Sequence, residues 1–507
     1  MKLRKSTSLF IVLSLLCFLQ NANGQYVEQL KNKGFQLNDS LGPFYHGIAS
    51  GDPLSTRVIL WTRLTPKRRE ASEGGWKLAF SVNWQVATDS TFDHIVRSGD
   101  VATDETRDFT VKVDVDELQP NTTYYYHFEA FGRRSLLGIT RTAPAETSLD
   151  PVKLAFVSGA DYQAAYFNAY GKLATLTALT AIVQLGSYIS YSTSHDAINY
   201  SRKYIPSNPM ISLADFRDRY AQYHTDPNLM EAHRHHPFVA IWDDNVFNED
   251  DNAERIQNAK QAFMEWLPIR TDDKGEPIRK IRFGATTELI MVTTHPSQSD
   301  FKAANNSQAE AMISSRPLLD TEQKEWVNYQ LATSSASWKV VTNQLLMGTL
   351  NMGQFNLCTT SGLYKWDEYP TDRKDLLNYI RTNNIHNVLV ATGNFNSSLG
   401  LEISDKTQDK SGLAVEFAVH SINELNYNES ISGVRALQAE QQYVNEKLNS
   451  NVKYANLHDH GFVVVDFDKK QAAIQWYNLK DVRIEREYKY KSVTKMSVPF
   501  NKSVLLK

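Results

Sequence analysis

Between residues 44 and 143 apolar and polar side chains alternate in short runs, as in Val58-Ile59-Leu60-Trp61-Thr62, Leu78-Ala79-Phe80-Ser81-Val82-Asn83-Trp84-Gln85-Val86, Phe109-Thr110-Val111-Lys112-Val113 and Thr123-Tyr124-Tyr125-Tyr126-His127-Phe128. Successive side chains of a strand point to opposite faces, so a period of two marks half-buried strands. Turn signals between the runs, such as Gln119-Pro120-Asn121, predict a small antiparallel β-sandwich. Its tyrosine cluster is expected to pack the core or cover a face.

After Thr142-Ala143-Pro144-Ala145-Glu146, which has the composition of a linker, the rhythm changes. Apolar runs at 154–157, 182–185, 238–242, 289–293, 338–342, 388–391, 415–419 and 462–465 predict strands. Helical periodicity is clearest at 213–223, 256–266, 321–333, 372–382 and 434–448, with a further helix expected near 167–179. This alternation predicts a layered α/β domain whose loops at the C-terminal ends of the strands gather a site. The expected division is a lead-in over 25–43, the sandwich over 44–145, the layered domain over 150–480 and a tail over 481–507. The tail carries seven Lys or Arg against three Asp or Glu and is expected to be a solvated closing strand or tail.

Composition narrows this picture. A length of 507 residues is too much for one compact core, and 42% hydrophobic with 22% charged residues describes a globular chain. A net charge of -3 argues against a general nucleic-acid binder. Residues 1–24 carry the pattern of an export signal: Lys2, Arg4 and Lys5, an apolar stretch over 9–19, then Ala22-Asn23-Gly24. No later run of about 20 apolar residues predicts a membrane span. The expected location is therefore periplasmic, cell-surface or extracellular. With the signal removed, Cys358 is the sole cysteine, so no intrachain disulfide is expected. It is taken as a small, partly buried apolar residue.

Three segments stand out: Gln184-Leu185-Gly186-Ser187-Tyr188-Ile189-Ser190, Ile241-Trp242-Asp243-Asp244-Asn245-Val246-Phe247 and Thr392-Gly393-Asn394-Phe395-Asn396-Ser397-Ser398. Together with Tyr45-His46-Gly47-Ile48-Ala49-Ser50-Gly51-Asp52-Pro53, Phe216-Arg217-Asp218-Arg219-Tyr220, Trp338-Lys339-Val340-Val341-Thr342-Asn343-Gln344 and Trp366-Asp367-Glu368-Tyr369-Pro370, they make the chain resemble the PhoD-type alkaline phosphatase and phosphodiesterase family. The resemblance runs from about residue 44 to about 480. It implies an N-terminal β-sandwich followed by a four-layer αββα metallophosphatase-like domain. In active relatives it implies iron and calcium held by Cys, Asp, Tyr, Asn and His, which clamp phosphate and generate a hydroxide nucleophile.

The chain departs from the family at the ligand positions themselves. Where the family has Ser-Cys, this chain has Ser158-Gly159; Gly-Asp-Tyr-Ile-Tyr-Glu becomes Gly186-Ser187-Tyr188-Ile189-Ser190-Tyr191. Trp-Asp-Asp-His-Glu becomes Trp242-Asp243-Asp244-Asn245-Val246, Gly-Asp-x-His becomes Gly393-Asn394-Phe395-Asn396, and Asp-Thr-Arg becomes Thr293-Thr294-His295. Each lost ion pair forfeits about 4 kcal/mol per pair of unit charges at ~4 Å and intermediate dielectric. The expected remnant pocket is Gly159, Asp161, Ser187, Ser190, Asp244, Asn245, Asn394, Asn396 and His460, with Asp243 and Asn248 as further polar neighbours. No resident metal is expected; a hard cation, if held at all, would use Asp244, Asn394 and Asn396. His224 and the His235-His236 pair are expected at the surface or capping helices.

No Gly-x-Ser-x-Gly elbow, phosphate-cradling glycine loop or His-Glu-x-x-His helix occurs, and no base is identifiable for Ser187 or Ser190 as a nucleophile. The expectation is an exported pseudophosphatase that binds or scaffolds, with an extracytoplasmic protein partner in a cell-envelope assembly. The rival is a phosphomonoesterase or phosphodiesterase with a remodelled calcium-type site.

Overall fold

The computed structural model describes residues 26–66, 79–191, 202–242, 252–272, 275–294, 317–355, 365–404, 412–430 and 433–507. Two sheets stacked face to face form the centre. The nine-stranded sheet runs, in spatial order, Tyr490–Pro499, Gln471–Leu479, Gly461–Phe467, Val152–Val157, Ala181–Gln184, Pro237–Ala240, Ile48–Gly51, Val58–Arg63 and Thr110–Val115. The seven-stranded sheet runs Lys280–Phe283, Thr287–Met291, Trp338–Asn343, Val388–Thr392, Ala414–Ala418, Ser398–Ile403 and Val452–Asn456.

The middle strands of both sheets pair in parallel and are buried on both faces, which is why they read as unbroken apolar runs. Between the sheets lie Leu154, Phe156, Val183, Val239, Leu289, Val340, Leu389 and Phe417, with the Phe156 and Phe417 rings edge to face at 5.0 Å. Helices cover the outer faces: Leu213–His224, Pro227–His235 and Ala253–Trp266 on one side, Thr321–Thr333, Pro370–Thr382 and Gly433–Tyr443 on the other. The result is the four-layer αββα arrangement.

The predicted helices over 213–223, 256–266, 321–333 and 372–382 are present. The one near 167–179 shortens to Asn168–Leu173, and the last ends at Tyr443 rather than 448. The helix Pro227–His235 was not anticipated, although Asp226 caps the Asn228 and Leu229 amides and Pro227 occupies the first turn, both recognisable start signals.

The N-terminal strands form the expected sandwich. Ile95–Thr103, Phe80–Ala87, Thr123–Ala130, Arg133–Arg134 and Gly138–Arg141 make its outer sheet. Its core is Val58, Leu60, Val82, Val86, Val111, Tyr124, Tyr126 and Phe128, so Tyr124 and Tyr126 point inward while Tyr125 lies on the opposite face. The sandwich is not separate from the α/β core, however. Its inner sheet is the end of the nine-stranded sheet: Ser50 pairs in parallel with Pro237 and Gly51 with Phe238. Residue 51 must be glycine, because a Cβ there would lie 2.3 Å from the Pro268 carbonyl oxygen and 2.5 Å from that of Phe238.

Asp52 fastens this junction. Fully buried, it receives Arg279 Nε at 2.6 Å and Nη2 at 2.9 Å, and the Arg270 amide at 2.6 Å, while Arg279 Nη2 also reaches the Ala240 carbonyl at 2.9 Å. Trp61 Nε1 adds a bond to the Glu265 carbonyl at 2.8 Å.

Of the two readings offered for 481–507, a closing strand or a tail, the structure has the strand. Tyr490–Pro499 is the edge strand of the nine-stranded sheet and pairs with Gln471–Leu479 along its length. Met496 and Val498 face inward while the lysines face solvent, an alternation that a simple charge count hides.

Removing the Asp52 carboxylate leaves the Arg279 guanidinium buried and unpaired. Asp52→Ala is expected to lower unfolding free energy by about 3–5 kcal/mol. Urea unfolding followed by tryptophan fluorescence checks this, and a loss below ~1 kcal/mol would show that the pair does not weld the two sections.

Candidate functional site

The parallel strands of both sheets end along one edge, and their loops meet there. The loop after Val152–Val157 is tied to its neighbours by Ala160 N–H to the Ser187 carbonyl at 2.9 Å and Ile422 N–H to the Ser158 carbonyl at 2.7 Å. Ser187, Asn394 and Asn396 all adopt left-handed backbone, with φ of 45°, 43° and 54°. Such strain clusters where tertiary contacts over-determine a loop.

Three groups of the expected pocket residues come together. In the first, Asn394 Oδ1 accepts from Ser187 Oγ at 2.9 Å and Ser158 Oγ at 3.3 Å, while the Asn394 amide donates to Ser158 Oγ at 3.0 Å. In the second, Asp161 Oδ1 accepts the amides of Gln163 at 2.8 Å and Ala164 at 3.1 Å and the Tyr204 hydroxyl at 2.5 Å, and Tyr204 also reaches Ser190 Oγ at 3.2 Å. Tyr223 stitches this group together, taking the Tyr162 and Ser190 amides and donating to the Ala160 carbonyl. Burial pushes the Tyr204 and Tyr223 phenols far up, so both stay neutral.

The third group surrounds Gly159. Its φ is +65°, and a Cβ there would stand 2.7 Å from Ser421 Cβ and 2.8 Å from Asn396 Oδ1. His460 joins this group through Ser421, with Nδ1 at 2.9 Å from Ser421 Oγ and Nε2 at 3.0 Å from Glu429 Oε2. Burial by itself would raise the Glu429 carboxyl, but the His460 hydrogen bond and charge hold it below its ordinary value. Asp243, Asp244, Asn245, Asn248, His295 and Cys358 lie outside the described residues.

The site also uses residues that the sequence reading missed. Asn423 receives the Asp161 amide and donates to the carbonyls of Asp161 and Ala165. Gln344 donates to the Trp242 carbonyl at 2.6 Å and accepts from Thr294 Oγ1 at 3.1 Å. Glu416 is a lone carboxylate inside the apolar run 413–419, a signal visible in the sequence. It accepts from Thr392 Oγ1 at 2.5 Å and from the Met347 and Gly348 amides, and so braces the strand that carries the Asn394 loop.

The histidine expectation is corrected. His224 is buried: its Nε2 lies 3.0 Å from the Tyr188 hydroxyl, and its ring stacks on His233 at 5.2 Å. Burial brings its pKa down to about 3, so it is a neutral core residue. His236 does cap a helix, but it is buried and bonds the Leu173 carbonyl at 3.1 Å.

Among the described residues no three His, Cys, Asp or Glu side chains converge as metal ligands. Among the described donors, position 159 is glycine, Asn394 Oδ1 accepts the Ser187 hydroxyl, and Asp161 Oδ1 receives three donors.

Comparison with known proteins bears on the same residues. The "PhoD-like phosphatase" profile matches 154–476, more than half of the chain, and "PhoD-like phosphatase, N-terminal domain" matches 30–144. Alkaline phosphatase D of Bacillus subtilis (strain 168) is 33% identical over 392 residues, covering 71% of this chain and 66% of that protein, just under two thirds of its length. A solved structure of PhoD superposes with a TM-score of 0.77 at 27% identity, covering 92% of each chain. The purple acid phosphatase of yellow lupin (Lupinus luteus) seeds shares the fold, with a TM-score of 0.54 at 10% identity over 89% of this chain and 73% of that one.

Burial pushes the Glu416 carboxyl up to about 7 from 4.5, despite the donors that face it. The folded chain therefore holds this proton more tightly than the unfolded chain. The resulting stabilisation is complete below pH 4.5 and is lost as pH rises through about 7. Glu416→Gln is expected to remove that loss, so its stability relative to the parent rises across this window. Urea unfolding at a series of pH values measures the difference, and a pH-independent difference contradicts it.

Proposed function

The chain belongs to the PhoD-like phosphatase family, and we propose that within it this protein is an exported pseudophosphatase, a fold kept as a binding or scaffolding unit after its catalytic metal centre was lost. One observation carries this reading: Asn394, where the resemblance implies a ligand carboxylate, is a neutral amide whose side-chain oxygen accepts the Ser187 hydroxyl at 2.9 Å. Such an oxygen offers a cation no charge and is already engaged by a donor.

The geometry at Gly159 supports the same reading. A cysteine there would need a left-handed backbone and would press its Cβ against Ser421 and Asn396, so neighbouring side chains occupy the space a thiolate ligand requires. Loss is concentrated at ligand positions, whereas the tryptophans and strand cores around them persist: Trp61, Trp266, Trp338 and Trp366 are all fully buried. A fold whose packing persists while its charges go retains surface rather than hydrolysis. We assign that surface to an extracytoplasmic protein partner in a cell-envelope assembly. Among the described residues no helix is long and apolar enough to cross a membrane.

Metal content and turnover test the proposal together. The purified chain, supplied with iron and calcium, is expected to retain well under one equivalent of either after desalting. It is also expected to show no hydrolysis of aryl phosphate monoesters or diesters above background. Gly159→Cys is expected to restore neither metal nor turnover and to lower stability by about 1–3 kcal/mol. Stoichiometric metal with chelator-sensitive turnover in the unaltered chain sinks the pseudophosphatase reading.

A further inference from the structure

A cleft separates the outer sheet of the N-terminal sandwich from the helical face of the core, on the opposite side from the loops described above. It is lined where strands Ala181–Gln184 and Pro237–Ala240 begin, whereas the remnant pocket lies where they end. Its volume is 220 Å³. One wall is a strand pair whose register sets Thr123 beside Arg141 and Tyr125 beside Ile139 on a single face. The other wall is the turn carrying Leu176 and Leu179, with His236 at the end of its helix.

We propose that this cleft binds a compact organic monocarboxylate, with Arg141 holding the carboxylate and Tyr125, Ile139, Leu176 and Leu179 enclosing its apolar body. Arg141 Nη2 donates to the neutral Asn121 Oδ1 at 2.7 Å, and no carboxylate pairs with the guanidinium among the described residues. Its Nη1 makes no hydrogen bond among the described residues. A carboxylate supplies this nitrogen with both an acceptor and the opposite charge. His236 adds no second cation: burial brings it down to about 4, and Nε2 already bonds the Leu173 carbonyl. One cation, facing a neutral amide and no second positive group, matches a monoanion rather than a phosphate dianion. The apolar walls match a small hydrocarbon body, and a cleft between two packed sections is where such ligands commonly lodge.

Titration calorimetry of the full chain at neutral pH, with benzoate, its neutral counterpart benzyl alcohol and inorganic phosphate as probes, tests this. Saturable benzoate binding is expected, with benzyl alcohol and phosphate each weaker by about 10-fold or more. Arg141→Gln is expected to weaken benzoate by about 10- to 100-fold without moving the ligand-free melting temperature. Leu176→Trp, which fills the cleft from its half-buried wall, is expected to abolish binding. The proposal is overturned by no saturable benzoate binding up to about 10 mM, by equal affinity for benzyl alcohol or phosphate, or by Arg141→Gln binding as the parent does.

Discussion

Two sheets that must bury their inner faces against each other dictate most of this molecule. Phe156, Val183 and Val239 from one sheet meet Leu289, Val340 and Phe417 from the other, and close packing of such side chains leaves little freedom in how the sheets align. Once aligned, parallel strands such as Val152–Val157 and Val388–Thr392 end on the same edge. Residues 158 and 394, far apart in the chain, are thereby brought into hydrogen-bond contact. The site is a consequence of core packing, and the loops that form it inherit their positions from strands they do not belong to.

That inheritance explains how a pocket can change its chemistry and keep its walls. Ser187, Asn394 and Asn396 sit on loops, outside the apolar contacts that set the loop ends. Many polar atoms there bond to one another, whereas Asn396 Oδ1 and the Ser397 and Ser398 hydroxyls are buried without a partner among the described residues. Serine hydroxyls turn to Asn394, Tyr204 turns to Asp161, and His460 turns to Ser421 and Glu429.

The junction between the N-terminal strands and the core obeys a related constraint. A sheet that continues across a section boundary needs close backbone approach and a way to neutralise charge buried at the seam. Gly51 provides the first and the Asp52–Arg279 pair the second. The sandwich and the α/β core thus share one sheet, and the cleft holding Arg141 exists because the outer sheet of the sandwich leans over the core without filling the space between them.

Periodicity alone made the strands at 154–157 and 388–391, the helices at 213–223 and 321–333, and the two-part plan legible, because apolar spacing is a local property of the chain. The family motifs likewise marked Gly159, Ser187, Asn394 and Asn396, and the structure sets Ser187 against Asn394 and Asn396 against Gly159. Contacts between distant segments lay beyond that reach. Nothing near His224 in the chain announces Tyr188 and His233, so a buried histidine was taken for a surface or capping one. Nothing near Met496 announces the strand it pairs with, so a closing strand and a tail could not be told apart. Hydrophobic period and residue chemistry are written residue by residue, whereas burial, pairing partners and the direction in which a lone oxygen points are set by segments that meet only when the two sheets close on each other.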